Sequence, residues 1–108
     1  MDDWTTACSL KDLPDRKPTR VSVDGTDVLL FRVADAVFAV GNRCTHQGAP
    51  LHKGIVKADG SPKSVTCPVH GSVFSLEEGR VLRGPATAPL PAYEARINGE
   101  TVEVREAS

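Results

Sequence analysis

Two short segments of this 108-residue chain combine the side chains that bind soft metal ions. The first reads Cys44-Thr45-His46 and the second Cys67-Pro68-Val69-His70, with 20 residues between them. Each segment supplies one thiolate and one imidazole, which are ligands that zinc and iron–sulfur centres take from proteins. The two segments must come together to enclose a metal. We therefore predict that Cys44, His46, Cys67 and His70 form one metal-binding site.

Two kinds of metal centre fit this ligand set. Zinc accepts tetrahedral coordination by two cysteines and two histidines. A mixed-ligand [2Fe–2S] cluster instead places both cysteines on one iron and both histidines on the other. The spacing of the ligands does not separate these alternatives. A set of unconnected cysteines and histidines is the weaker interpretation, because all four lie in two loops of a chain that otherwise has the pattern of strands.

The remaining cysteine and histidine are interpreted as structural residues. Cys8 lies in the first predicted strand, far from both segments, and is expected to be a small buried hydrophobe. His52 is expected to be an ordinary loop residue. The more specific alternative is that it contacts a partner or accepts a proton near the metal centre. An odd number of cysteines does not indicate a disulfide framework.

The segments that must position the ligands have apolar residues in the pattern typical of β-strands. Apolar or alternating runs are separated by turn signals such as Asp24-Gly25 and Asn98-Gly99, the second of which predicts a hairpin because both residues tolerate positive φ. The only helix signal is one turn over residues 9–13, with Ser9 as its cap. Residues 41–71 break the strand pattern, and loops are predicted at residues 44–50, 67–71 and 85–91. The fold class is therefore all-β, with runs at 21–23, 28–31, 36–40, 93–97 and 101–104.

Composition limits the remaining possibilities. The length suits one domain, and 40% hydrophobic with 25% charged residues is near the globular average. A net charge of -1 argues against a nucleic-acid-binding protein, and scattered Lys and Arg argue against a membrane-surface helix. The first residues lack the pattern of a signal peptide, and the longest apolar runs are far too short for a membrane span. We expect a cytoplasmic protein.

Several segments resemble Rieske proteins. Residues 44–48 (Cys-Thr-His-Gln-Gly) and 67–72 (Cys-Pro-Val-His-Gly-Ser) resemble the two cluster-binding boxes of that family. Residues 81–86 resemble the proline-containing loop that covers the cluster, and the Asn98-Gly99 hairpin resembles the end of a Rieske ferredoxin. The likeness extends from about Trp4 to Val104. Two departures are a gap between the boxes that is a few residues longer than usual, and Val69 in place of an aromatic residue.

The resemblance implies a fold, a cofactor and a set of ligands. The fold would be a Rieske-like fold of short antiparallel sheets, in which residues 1–108 form a single domain. Residues 41–86 would form the cluster-binding subdomain, and the rest would form the base. The cofactor would be a [2Fe–2S] cluster held by Cys44, His46, Cys67 and His70. An added electron would settle on the histidine-bound iron, because neutral imidazoles leave it less negative than the thiolate-bound iron.

The resemblance also implies a subtype with a low reduction potential. Respiratory Rieske proteins carry an extra cysteine in each box, and the matching positions here are Ala49 and Val69. Their tyrosine donor is replaced by Phe74, whereas Ser72 matches a serine that can donate to a bridging sulfide. Fewer donors to sulfur leave the reduced cluster less stable, so the potential falls. The chain thus resembles the ferredoxin of an oxygenase system and is too short to be the oxygenase itself.

The expected function is electron transfer and not catalysis. The donor would be a flavin-containing NAD(P)H reductase, and the acceptor would be a terminal oxygenase. His46 and His70 would form the exit path, rimmed by the apolar residues Pro50, Leu51, Val69 and Pro85. The alternatives are a Rieske subunit of a larger reductase, such as a nitrite-reductase-like complex, and a zinc-stabilised interaction module.

Overall fold

The computed structural model describes residues 3–107, which form ten β-strands and two one-turn 3₁₀ helices. The strands are β1 (Thr5–Ser9), β2 (Thr19–Val23), β3 (Thr26–Val33), β4 (Ala36–Gly41), β5 (Ile55–Lys57), β6 (Ser64–Thr66), β7 (Val73–Ser75), β8 (Val81–Arg83), β9 (Ala92–Asn98) and β10 (Thr101–Glu106). The 3₁₀ helices are Leu10–Asp12 and Leu51–Lys53. The prediction of an all-β fold is confirmed.

The strands form two antiparallel sheets. The larger has the order β1-β10-β9-β4-β3-β2, and the smaller has the order β5-β6-β7-β8. The edge strands β1 and β2 of the larger sheet approach each other, so this sheet curls toward a barrel. The smaller sheet is inserted between β4 and β9. Consequently, both candidate metal-binding segments lie at chain connections next to it.

Two predicted hairpins form, but one has a different register. At Asp24-Gly25 both turn residues have positive φ (50° and 79°), as the sequence indicated. At the second hairpin Asn98 pairs with Thr101 in the ladder, so the turn residues are Gly99 and Glu100. Only Gly99 has positive φ, at 63°. The turn is thus one residue later than predicted, since the first central position of such a turn needs glycine and the second does not.

The apolar side chains form two packed clusters. One lies within the larger sheet and is built around Val28, Leu30 and Val104. The other lies between the two sheets and contains Leu29, Phe31, Leu51, Phe74 and Leu76 together with Cys44 and Cys67. Phe31 is buried, and Phe38 packs half-buried against the same cluster. The second cluster therefore connects the large sheet to the candidate metal-binding loops.

The N-terminal part of the described chain agrees with the prediction in outline. Cys8 lies in β1, half-buried against the first apolar cluster and away from the other cysteines. The predicted turn forms as the 3₁₀ helix Leu10–Asp12, but Ser9 does not cap it with its side chain. The Ser9 hydroxyl donates instead to the Glu100 carbonyl at 3.5 Å. Across residues 3–107, no helix has the length and apolar character needed to cross a membrane.

Candidate metal centre

The first loop is closed by backbone hydrogen bonds around Cys44. The Cys44 N–H donates to the Ala49 carbonyl at 2.9 Å, and the Gly48 N–H donates back to the Cys44 carbonyl at 2.7 Å. Gly48 has a φ of +74°, which a residue with a side chain adopts only with strain. This tight closure keeps Cys44 at 3% exposure while the tip of the loop, including His46, is exposed.

The second loop connects β6 to β7 and has the same arrangement of ligands. The Cys67 N–H donates to the Ser72 carbonyl at 2.7 Å, which closes the turn over residues 68–71. His70 and Gly71 both have positive φ, at 67° and 74°. A non-glycine residue in this region is uncommon and is often found at functional sites. Cys67 is 3% exposed, whereas His70 is exposed.

The two loops bring the four predicted ligands together as two pairs. The rings of His46 and His70 lie edge to face, with centroids 5.5 Å apart and planes at 86°. The thiols of Cys44 and Cys67 are buried neighbours within hydrogen-bonding reach. Burial is the largest cause of a raised pKa at Cys67. The Val69 N–H, which donates to its sulfur, opposes this rise, and the neighbouring Cys44 adds to it. A buried thiol such as that of Cys67 loses its proton more readily when a metal cation replaces it.

This donor set fits a [2Fe–2S] cluster of mixed ligation. Within residues 3–107, no three His, Cys, Asp or Glu side chains gather around one point as they would for a single metal ion. Each iron of a Rieske cluster needs only two protein ligands, because bridging sulfides complete its coordination. The pairing of two buried thiols and two exposed imidazoles therefore matches what such a cluster requires from a protein.

A third loop, residues 84–90, is hydrogen-bonded to both candidate metal-binding loops. The Ala86 N–H donates to the buried Ser72 hydroxyl oxygen at 3.0 Å. The Thr45 hydroxyl donates to the Ala88 carbonyl at 2.6 Å. Pro85 is exposed on the outside of this loop, and Ala86 is buried beneath it. These two hydrogen bonds hold the loop against both candidate metal-binding loops. The loop overlaps the predicted covering segment only at residues 84–86, because residues 81–83 form β8.

The expected apolar rim of the histidines is partly wrong. Pro50, Val69 and Pro85 are exposed, and Val69 is 40% exposed although it is a large apolar side chain. Leu51, however, has no exposed surface. It begins the second 3₁₀ helix, and its side chain packs into the cluster between the sheets with Phe74. The sequence pattern could not separate Pro50 from Leu51, because the direction of each side chain depends on how the 3₁₀ helix Leu51–Lys53 packs against the two sheets.

Asn42 is a structural residue that the sequence analysis missed. Its side chain is 1% exposed and makes two hydrogen bonds to His52. Asn42 Oδ1 accepts the His52 N–H at 2.8 Å, and Asn42 Nδ2 donates to His52 Nδ1 at 2.9 Å. The Leu51 N–H donates to the Asn42 carbonyl at 2.8 Å. His52 is therefore a fixed, half-buried part of the base of the first loop. The only signal was a polar residue directly after a buried strand.

Comparison with known proteins identifies the family. Residues 3–105 match the Rieske-like [2Fe-2S] domain. This chain belongs to that family. Its cofactor is a [2Fe–2S] cluster, which decides between the two metal centres that the ligand set allowed. The fold is the Rieske-like fold that the two boxes indicated.

This Rieske domain is similar to proteins of oxygenase systems. It is 31% identical over 96 residues to the 3-phenylpropionate/cinnamic acid dioxygenase ferredoxin subunit of Shigella boydii, with 89% of this chain and 87% of that protein covered. The ferredoxin of carbazole 1,9a-dioxygenase from Nocardioides aromaticivorans superposes with a TM-score of 0.86 at 28% identity, covering 98% and 100% of the two chains. A ferredoxin within a complex of oxygenase and ferredoxin of carbazole 1,9a-dioxygenase gives 0.79 at 29% identity, covering 94% and 91%.

One similar structure has a different assignment. A protein from Mycobacterium tuberculosis, proposed to be the small subunit of an NADH-dependent nitrite reductase, is 34% identical. It superposes with a TM-score of 0.81, and the match covers 100% of this chain and 99% of that one. Both classes of protein use the same Rieske domain, so the fold alone does not choose between them.

Proposed function

We propose that this Rieske domain is the ferredoxin component of an oxygenase system and carries single electrons to a terminal oxygenase. The observation that carries the proposal is the exposed pair of imidazoles, 5.5 Å apart, at the surface of a Rieske domain. The bound cluster would supply reversible one-electron chemistry. The chain is a carrier and not an enzyme by itself. Its similarity to ferredoxins of dioxygenase systems supports this proposal.

The proposed ligands are Cys44 and Cys67 for the buried iron, and His46 and His70 for the outer iron. The burial of the thiols and the exposure of the imidazoles support this division. The histidines would then offer a partner the shortest route for an electron. The loops that hold them are closed by their own backbone hydrogen bonds and by the covering loop, which limits rearrangement during the redox cycle.

The proposed partners are a flavin-containing NAD(P)H reductase as donor and a terminal oxygenase as acceptor. A similar ferredoxin is known in a complex with its oxygenase, which supports the acceptor. We also propose that the chain acts in the cytoplasm as one domain, with residues 41–86 as its cluster-binding subdomain. A second candidate is the Rieske subunit of a nitrite-reductase-like complex, favoured by the 34% identical protein of that proposed assignment. Copurification with a large reductase subunit would favour the second candidate.

The first test is the metal content of the purified protein. We expect two irons and two inorganic sulfides per chain, and the rhombic EPR signal of mixed ligation after reduction. The histidines are tested by substitution: His46→Ala or His70→Ala should lose the cluster or alter its spectrum. His52→Ala is the matched control, because it removes a histidine from the same region while keeping all four proposed ligands. Loss of iron from His52→Ala with retention in His46→Ala would show that the ligands are wrongly assigned.

A further inference from the structure

Charge is distributed unevenly along this chain. Residues 36–93 contain both metal-binding loops and the covering loop, and they hold six Lys or Arg but only three Asp or Glu. The remaining residues hold seven Lys or Arg and eleven Asp or Glu. The formal net charge of -1 therefore conceals a positive part that carries the cluster and a negative part that does not.

The three acidic residues of this positive part lie away from the cluster site. Asp59 lies in the connection between β5 and β6, and Glu77 and Glu78 lie in the turn between β7 and β8. The pairing of β6 defines the two ends of the small sheet. At the end next to Cys67, Thr66 pairs with Ile55. At the opposite end, Ser64 pairs with Lys57 and Ser75. All three carboxylates thus lie beyond the end of the sheet opposite to the metal-binding loops. Lys57, Lys63 and Arg80 lie at that same distant end.

The other three basic residues lie beside the metal-binding loops. The Arg83 guanidinium donates to the carbonyl of Gly71, next to His70, at 3.3 Å. On the other side, Arg43 and Lys53 line a groove of about 370 Å³ together with Gly48 and Pro50 of the first loop. The side chain of Arg43 is 73% exposed. The site is therefore flanked by fixed positive charge on both sides.

One carboxylate lies in the groove but does not cancel this charge. The side chain of Asp27 is only 18% exposed, and Arg20 donates a hydrogen bond to it at 2.9 Å. Arg43 contacts its other oxygen at 3.5 Å. One of these two guanidinium groups balances Asp27. The other, together with Lys53, leaves the groove with a net positive charge.

Exposed apolar residues lie in the same loops as these basic residues. Val69, which precedes His70 in the sequence, is 40% exposed, and Pro50 and Pro85 are exposed in the first loop and in the covering loop. An apolar centre with a charged rim is the usual composition of a transient protein interface. We propose that the partner docks on this face with a surface whose rim is acidic. This inference rests on the proposed function, because it assigns the charge of the surface to which the cluster delivers its electron.

The rate at which small charged redox ions oxidise the reduced protein depends on the charge around His46 and His70. The reduced protein is mixed in a stopped-flow instrument with hexacyanoferrate(III), an anion, or hexaammineruthenium(III), a cation. Raising the ionic strength from about 0.01 M to about 1 M shortens the screening length from about 30 Å to about 3 Å. We expect oxidation by the anion to slow on the order of tenfold and oxidation by the cation to accelerate. If the net negative charge of the whole molecule governed these rates, added salt would instead accelerate oxidation by the anion and slow oxidation by the cation. The two explanations therefore predict opposite results for both ions.

Variants assign the effect to residues. Lys53→Gln and Arg83→Gln should each reduce the salt dependence of the reaction with the anion, and Arg83→Lys should keep it. Lys11→Gln is the matched control, because it removes the same charge far from the metal-binding loops. Lys11 lies in the 3₁₀ helix Leu10–Asp12, and the Leu10 N–H donates to the Glu100 carbonyl in the β9–β10 turn. It should leave the salt dependence unchanged.

Two different failures are distinguishable. If iron and sulfide are absent, the proposed function fails, and this inference fails with it. If the cluster has a normal EPR spectrum but the anion reacts faster as salt is added, the inference alone is overturned. It is also overturned if Lys53→Gln and Arg83→Gln behave as Lys11→Gln does.

Discussion

We predict that Ser72 makes two separate contributions, which one substitution can test together. Its hydroxyl oxygen accepts the Ala86 N–H at 3.0 Å, and its side chain has no exposed surface. Accepting this bond leaves the hydroxyl hydrogen available to a cluster sulfur, as the resemblance to Rieske proteins implies. Ser72→Ala removes the acceptor for the covering loop and the donor to the cluster at once. We expect the substitution to lower both the reduction potential and the stability.

The size of each effect can be worked from the contacts. A buried N–H without a partner costs about 1–3 kcal/mol, so the free energy of unfolding should fall by about that amount. A hydrogen bond to a charged acceptor is stronger than one to a neutral acceptor by about 1 kcal/mol or a little more. Since the reduced cluster is the more negative, losing the donor should lower the potential by about 40–80 mV, at 59 mV per tenfold change for one electron.

Ser75→Ala supplies the control, from the end of β7, the strand that begins directly after Ser72. Ser75 is also buried, and its hydroxyl oxygen accepts the N–H groups of Glu77 and Glu78 at 3.2 and 3.1 Å. It lies at the far end of β7, so Ser75→Ala should reduce stability without moving the potential. Voltammetry and denaturant unfolding of both variants give the two quantities. Equal potentials for Ser72→Ala and the unchanged protein, with the cluster intact, would refute the role of this hydroxyl.

Two further predictions concern the surroundings of the cluster, and a third variant serves as the comparison. Phe74→Tyr should raise the reduction potential measured by voltammetry. Phe74 packs in the same buried group of side chains as Cys44 and Cys67, and a hydroxyl there adds a hydrogen-bond donor near the sulfurs. A lower potential with the iron–sulfur cluster intact would contradict this. Gly54→Ala should reduce the iron content and cost about 1–3 kcal/mol of stability, because an added Cβ would lie 1.9 Å from the Thr66 carbonyl oxygen, next to Cys67. Gly60→Ala is the comparison, with no atom within 4 Å of the added Cβ, and it should keep its iron despite a positive φ of 81°.

The fold class was predictable because strand period and turn chemistry are local. The runs at 28–31 and 36–40 lie within β3 and β4, and Asp24-Gly25 forms the predicted turn. The position of the second turn was wrong by one residue, because Asn98 and Gly99 both suit positive φ, and the pairing of β9 with β10 decided which one adopts it. Ser9 does not cap its turn, because its hydroxyl donates a hydrogen bond to the carbonyl of Glu100, 91 residues away in the chain.

The sequence by itself determined the chemistry. Two thiolates and two imidazoles in two short loops restrict the possible metal centres, and this depends only on residue type and spacing. Only the tertiary structure decided which side chains face outward: Leu51 packs inward beside exposed Pro50, and Asn42 holds His52. Ser72 and Thr45 meet the covering loop 14 and 43 residues further along the chain. These contacts join residues that local sequence patterns do not connect, so packing alone brings them together.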